Sequence, residues 1–327
     1  MAGQAVLVLG DLVADESIYA ETARVYGDVA RLSREVAFGL ILKRRSSEIR
    51  PGGGANAVNN LVDLGARVLP VGLVGKDEAG EAILAHFRRK GVDTSGIRVA
   101  RSLDTTTKTR ILVGGAHTAP QHVLRLDRDA NRPPVEAERR WLVRAAAARL
   151  RRASAALISD YGYGAAAPEV VNVVLRGHSQ SIPVALDSRH RLLEFHHASV
   201  ATPSVPELEE LFRQPIGTDL KLLGRLATRL ARRLKLKALV VTRGRYGMTL
   251  YENRKAPAHI PIFGSDQVID VTGAGDTVVA VFVLALAAGA SHLEAVHLAN
   301  IAGGCVVMKR GTATITREEL AQAIRAA

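Results

Sequence analysis

Between Ala155 and Thr242 the chain alternates strand-length apolar runs with helix-length stretches. Ala155–Ser159, Pro168–Leu175, Val184–Asp187, Pro206–Phe212, Lys221–Leu234 and Ala238–Thr242 follow one another over short connections. Strands alternating with helices of this length imply a doubly wound, mostly parallel α/β sheet with helices on both faces. The N-terminal part obeys the same rule. Val6–Gly10 reads as a buried strand, Ala55–Leu64 as a helix stopped by Gly65, and Val68–Leu73 as a strand. Asp77 is placed to cap a further helix that runs to Lys90. Met248–Tyr251 and His259–Ile262 read as a closing hairpin, and Gly275–Ala288 and Leu293–Met308 as the last helices. Apolar residues form 47% of the chain but aromatics only 4%, so the core must be built from Ala, Val, Leu and Ile. That suits a parallel sheet covered by Ala/Leu-rich helices.

Two stretches break the alternation. Residues 11–50 are β-rich, and Thr106–Val113 and Val123–Leu126 read as a hairpin around a Gly/His/Thr/Pro loop. They are expected to form a small sheet, contributed by about 12–50 and 105–127, projecting as a lid from one domain that spans 1–327. Such a sheet is too small to bury both faces alone, which points to a homodimer joined through the lids.

The net charge is +12, from 44 Lys and Arg against 32 Asp and Glu. The densest basic groups are Lys43-Arg44-Arg45 and Arg225–Lys237. In the second, charges alternate with Leu226, Leu230 and Leu234 at the spacing of a helix with a solvated face. No aromatics are interleaved to stack on bases, so specific nucleic-acid binding is not expected. A general attraction for anionic substrates is. One cysteine, Cys305, excludes an intrachain disulfide and reads as a small core residue, which fits a reducing cytoplasm. The N-terminus enters the run Ala5–Leu9 without a basic flank, so no leader is expected. Val278–Ala288 is short of the roughly 20 apolar residues a bilayer requires, so no membrane association is expected either.

The chemistry concentrates in two glycine-rich segments. Asp270-Val-Thr272-Gly273-Ala274-Gly275-Asp276-Thr277 opens directly into an Ala/Val/Leu helix. Small residues let the backbone approach a ligand, and a helix N-terminus offers unpaired N–H groups to an anion. Asp276 in that first turn reads either as a cap or as a general base beside an anion hole. Pro51-Gly52-Gly53-Gly54-Ala55-Asn56 is the second such segment, with Asn56 on the first helical turn. It is either a flexible loop or a hydroxyl-binding turn. Neither a Walker A loop nor a GxGxxG fingerprint is present. Gly10-Asp11 lies at the carboxyl end of the first strand, where open α/β sheets bind ligands.

With both segments in order, the chain resembles the ribokinase-like (pfkB) carbohydrate kinases over essentially its whole length. Within that family the resemblance runs closest to the heptose-7-phosphate kinases. It is carried by Gly10–Asp15, Arg50–Asn60, Leu124–Asp127, Ser159-Asp160-Tyr161, Leu239–Gly244 and Met308–Thr314. The resemblance implies ATP-dependent phosphorylation of a sugar or sugar-phosphate hydroxyl. Asp276 would be the base and the N–H groups of Gly273, Ala274 and Gly275 the anion hole. Asp11, Gly53 and Asn56 would grip sugar hydroxyls, beside Gly52. Thr242 and Gly244 would contact ATP phosphates and ribose, with Asn300 near the adenine. Asp270 and Thr272 match positions that bind a monovalent cation such as K⁺, and Glu207 an acid that holds Mg²⁺ through water.

Ser204 stands where the family carries Asn, and the lid segment Tyr26–Gly39 departs from the heptose kinases. Asp160-Tyr161 at a strand end reads as a substrate contact or as a structural hydrogen bond. Arg125 and Asp127 read as a lid ion pair or as sugar contacts. Asp187 ends a strand on the nucleotide side. The competing readings are another sugar or nucleoside kinase of the family, and a weakly catalytic kinase fold used for binding or regulation.

Overall fold

The structure is a computed structural model that describes residues 1–25, 40–114, 120–176, 182–264 and 268–326. The lid segment 26–39 singled out above lies outside the described residues.

The chain begins with β1 (Ala5–Gly10), β2 (Leu12–Val25) and β3 (Leu40–Gly53), then α1 (Gly54–Asp63), β4 (Arg67–Gly75) and α2 (Glu78–Arg89). Next come β5 (Ile97–Ala100), β6 (Thr107–Val113), β7 (Gln121–Arg128), α3 (Glu136–Leu150), β8 (Ala155–Asp160), α4 (Pro168–Arg176) and β9 (Val184–Ser188). The remainder is β10 (Val200–Ala201), α5 (Val205–Phe212), α6 (Leu220–Leu234), β11 (Ala238–Thr242), β12 (Met248–Glu252), β13 (Ala258–Ile260), α7 (Ala274–Ala287), α8 (His292–Val306) and α9 (Arg317–Ala326). The short strands β5 and β10 and the final helix α9 were not legible in the periodicity.

Nine strands form one sheet in the order β13-β12-β11-β10-β9-β8-β1-β4-β5, parallel except for the hairpin strands β12 and β13. β1 lies inside the sheet between β4 and β8, with Val6 opposite Val68 on one side and Leu9 opposite Ile158 on the other. Successive side chains of a strand point to opposite faces. Val6 and Val8 therefore join the core under α1, α7 and α8, while Leu7 and Leu9 join the core under α3, α4 and α6. α7 is apolar on all sides because it is enclosed: Val278 to Leu284 are all buried. Each Val, Leu or Phe buried in this way contributes about 1.5–3 kcal/mol.

β2, β3, β6 and β7 form a separate four-stranded sheet in the order β3-β2-β6-β7. β2 pairs antiparallel with β3 and parallel with β6. Asp77 joins the two sheets. It caps α2 by accepting the Gly80 N–H (2.8 Å) and also takes the Thr105 N–H (2.8 Å) and hydroxyl (2.7 Å) just before β6.

The segment Pro51–Gly53 is no loop. It is the end of β3, paired with Leu12–Ala14 of β2, and it runs straight into α1. Gly53 takes φ +54°, where a Cβ would sit 3.0 Å from the Val13 side chain. The glycines therefore carry one strand into a helix beneath the carboxyl end of β1.

Candidate active site

The N-termini of α1 and α7 lie side by side beyond the carboxyl ends of β1, β8 and β9. This brings the two glycine-rich segments together across more than 200 residues of sequence. The Asn56 amide on α1 donates to Asp276 Oδ2 (3.0 Å) and to the Gly273 carbonyl (3.3 Å). Its orientation is set from behind. Asn60 donates to Asn56 Oδ1 (3.2 Å), and the Thr277 hydroxyl donates to Asn60 Oδ1 (3.0 Å). With its oxygen already accepting, Asn56 must turn its NH₂ toward Asp276.

Asp276 is 2% exposed. The Tyr161 hydroxyl donates to its other oxygen, Oδ1, at 2.7 Å. Burial pushes the carboxyl up to about 6, against the lowering pull of Asn56, Tyr161, Arg189 and Lys108. A buried carboxylate that titrates near neutrality can accept a proton and release it again.

Gly273 caps α7 at φ +76°. The first helical bond runs from the Thr277 N–H to the Gly273 carbonyl (3.1 Å). The earlier N–H groups of a helix have no internal partner. Ala274 donates to the Val271 carbonyl (3.2 Å), which removes it from the expected trio of anion-hole donors. Among the described residues, the amides beside Asp276 without a partner are those of Gly273 and Gly275, together with that of Asp276 itself.

Around this pair stands a ring of charge. Asp187, at the end of β9, is pushed well above the ordinary carboxylate range by burial and by the charges of Glu207 and Asp276. Arg189 lies over the Tyr161 ring, 4.7 Å from its centroid. Partial desolvation opposes its charge, but Tyr161, Asp276, Glu207 and Asp187 outweigh it and raise the guanidinium. Lys108 of β6 is held low by burial and by the Arg189 charge. Neither basic residue was singled out from sequence. The available signal was a cation two residues after Asp187, and one in a strand that the topology turns toward α7.

An apolar cavity of about 220 Å³ opens on the other side of Gly275. Thr242, Gly244, Val271, Val278, Asn300 and Val307 are among its walls. Ser204 is bridged to Thr242 and caps α5. It forms a reciprocal box with Glu207, whose carboxylate accepts the Ser204 N–H (2.7 Å). The Asn300 amide is tied to the Pro261 carbonyl (2.8 Å), so it shapes the wall and turns its NH₂ to the hairpin loop.

Several residues expected at the sugar, and Asp270 expected at a monovalent cation, have hydrogen-bond or ion-pair partners within the protein. Asp11 is 2% exposed, and its oxygens accept backbone N–H groups from Tyr161 (2.9 Å), Tyr163 (3.0 Å) and Ala165 (2.8 Å). It holds a loop and presents no free oxygen face to a sugar hydroxyl. Asp160 is likewise a structural acid, paired with Arg191 and accepting from Ser188 (2.7 Å) and the Gly162 N–H (3.1 Å). Arg125 is paired with Asp127 on β7. Asp270 accepts the N–H groups of Thr272 and Gly311 (both 2.9 Å). Burial opposes its ionisation, but these bonds and the Arg110 charge hold it below its ordinary value. Asp15 is 8% exposed, stands opposite Lys108 on the second sheet and is paired with Arg110. Among the described residues, no three acids, histidines or cysteines converge to hold a metal by themselves.

The family model described as pfkB family carbohydrate kinase matches residues 21–319. The chain belongs to that family. It is a carbohydrate kinase of the pfkB type, a phosphotransferase acting on an alcohol group. The chain is 36% identical over 320 residues to the bifunctional protein HldE of Nitrosococcus oceani, covering 98% of this chain and 63% of that one. It is 36% identical over 316 residues to HldE of Geobacter sulfurreducens, covering 96% and 61%. The chain therefore spans less than two thirds of the length of these curated relatives. Among solved structures it is similar to Arabidopsis thaliana ribokinase complexed with ribose and ATP, with TM-score 0.73, 21% identity and 99% of each chain covered. It is also similar to Escherichia coli phosphofructokinase-2 in complex with fructose-6-phosphate, with TM-score 0.72, 18% identity and 100% and 99% covered. At these identities the two structures speak for the ribokinase-like fold. No helix among the described residues is long and apolar enough to cross a membrane.

Proposed function

We propose that this pfkB kinase transfers the γ-phosphoryl group of ATP to a hydroxyl of a sugar that already carries a phosphate, with heptose 7-phosphate as the acceptor. The observation that carries the reading is Asp276: buried, titrating near 6, and set beside the open amides of Gly273 and Gly275. In the proposed reaction Asp276 removes the proton from the attacking hydroxyl, and those amides take up charge on the transferring phosphoryl group. The apolar cavity beyond Gly275 receives the nucleotide base, with Thr242 and Gly244 on the phosphate side.

The acid pair Asp187 and Glu207 fits a hard divalent cation, because burial and the nearby Glu207 charge make Asp187 costly to ionise until a cation offsets them. Mg²⁺ held there would supply charge to the phosphates of ATP. Asp270 and Thr272 would hold K⁺ together with the Thr312 hydroxyl, which is buried without a partner among the described residues.

Support for a phosphorylated acceptor comes from the second sheet. Arg110 and Arg125 stand directly opposite each other on one face, with Lys108 two residues along. Like charges so placed destabilise a sheet unless an anion lies between them. Asp15 and Asp127 offset part of this charge, and Lys108 is felt by Asp276. This sheet is the lid over the acceptor, and it joins two copies into a dimer. Its edge strand β7 exposes Val123, Leu124 and Leu126, each at least half exposed.

ADP release from Mg²⁺-ATP, measured with ribose, fructose 6-phosphate and heptose 7-phosphate, tests the reading. The phosphorylated heptose should turn over fastest. Equal or faster turnover of ribose overturns the phosphate requirement, and no ADP with any of the three overturns the acceptor class.

A further inference from the structure

Tyr161 makes a buried contact with Asp276 that none of the roles above uses. A carboxylate terminates a broad, nearly free torsion, so a single donor does not define its plane. Asn56 fixes one oxygen and Tyr161, at 2.7 Å, fixes the other. Tyr161 is itself held on every side. Its backbone N–H goes to Asp11 Oδ2, the following N–H groups of Tyr163 and Ala165 go to the same carboxylate, and Arg189 covers its ring. The residue before it, Asp160, is clamped by Arg191 and Ser188.

We infer that Tyr161 is a positioning residue for Asp276: its hydroxyl, on a loop that Asp11 clamps from beneath, fixes the orientation in which the carboxylate meets the acceptor. This rests on the reading of Asp276 as the base. It also accounts for a buried acid at position 11 that has no ion-pair partner among the described residues. Such an acid is costly unless several oriented N–H groups solvate it, and the loop supplies them. Asp11 thus serves the reaction two steps removed, through Tyr161.

Alternative roles for the phenol make different predictions. A hydroxyl that only satisfies a buried acceptor would leave turnover and its pH dependence unchanged when removed. A hydroxyl that touched the acceptor would alter KM for that acceptor first. A positioning hydroxyl alters kcat and the pH profile together, because a donor to the ionised form favours that form. The other groups that face Asp276 remain in every variant considered: Asn56 from α1, Asp187 and Arg189 from the end of β9, and Lys108 from β6.

The test is Tyr161→Phe, assayed with Mg²⁺-ATP and heptose 7-phosphate across pH 5–9. Phenylalanine keeps the ring under Arg189. We expect kcat to fall by about 10- to 100-fold, the effect of an ångström-scale misplacement. KM for ATP should stay within about twofold, and the acid limb of the profile should move to higher pH. Asp11→Asn should shift kcat and the limb in the same direction by less and should also lower Tm, giving a second reading if Tyr161→Phe folds poorly. On an Asp276→Asn background, Tyr161→Phe should change the residual rate by no more than about twofold, since the two then act as one unit. An unchanged kcat and pH limb in Tyr161→Phe overturns the inference, as does a raised KM for heptose 7-phosphate at constant kcat. Wild-type turnover in Asp276→Asn alone overturns the base assignment instead, so the two failures are distinguishable.

Discussion

Gly273→Ala is the substitution whose consequences the structure defines most completely. Gly273 has φ +76°, a conformation that costs an L-residue about 1–2 kcal/mol. A Cβ there would lie 2.5 Å from the Asn56 side-chain nitrogen, so the amide must retreat by about 1 Å to reach ordinary contact. Asn56 is fully buried and its amide donates to Asp276 at 3.0 Å, so the retreat breaks a buried bond, worth a further 1–3 kcal/mol or so. The sum is about 2–5 kcal/mol of stability, readable by urea unfolding with the slope unchanged. Turnover should fall by about 10²–10³, because both Asp276 and the adjacent amides shift. Gly275→Ala is the internal control. Nothing lies within 4 Å of a Cβ at position 275, so a gain of up to about 1 kcal/mol from helix propensity is expected there. Gly273→Ala with wild-type stability and turnover would refute the reasoning from close approach.

Since Asp276 must be ionised to act and titrates near 6, kcat/KM should fall about tenfold per pH unit below that value; a flat profile down to pH 5 contradicts this. The same shift opposes stability: the folded state binds the proton more tightly than the unfolded chain, so this group's contribution is lost as pH rises from about 4 through 6. A urea midpoint for Asp276→Asn that tracks wild type at every pH would show no such linkage. Arg191→Met strips the ion pair from Asp160, whose side chain is 1% exposed, and should destabilise the fold by about 3 kcal/mol in urea unfolding. Replacing Leu124 and Leu126 together by Glu should convert the proposed lid-joined dimer to a monomer in sedimentation, with the fold intact by circular dichroism; a wild-type sequence that sediments as a monomer refutes the interface.

The architecture was legible because its signals are local. An apolar run of five, a glycine after a helix and an Asp three residues before a Gly N–H are written in adjacent residues, and each came out within a residue or two. Asp77 caps α2, and Asp276 sits on the first turn of α7. Local chemistry also pointed to both glycine-rich helix starts, although the first proved to be the end of a paired strand rather than a turn, because its partner Leu12–Ala14 lies some 40 residues away in the chain.

What each acid does was decided only in three dimensions. A carboxylate's role depends on which donors saturate it, and those donors are remote. Asp11 meets N–H groups about 150 residues further on, Tyr161 meets Asp276 across 115 residues, and Asn56 meets it across 220. Strand-helix alternation implied a doubly wound sheet, and the two glycine-rich segments carried the pfkB resemblance and placed an acid at the start of α7. The tertiary structure decided that Asp11 and Asp160 build a loop, that this loop carries Tyr161 to Asp276, and that Lys108 and Arg189 complete the charge around it. The physical reason is that hydrogen-bond satisfaction and burial belong to the packed neighbourhood, which the order of residues along one strand or helix does not contain.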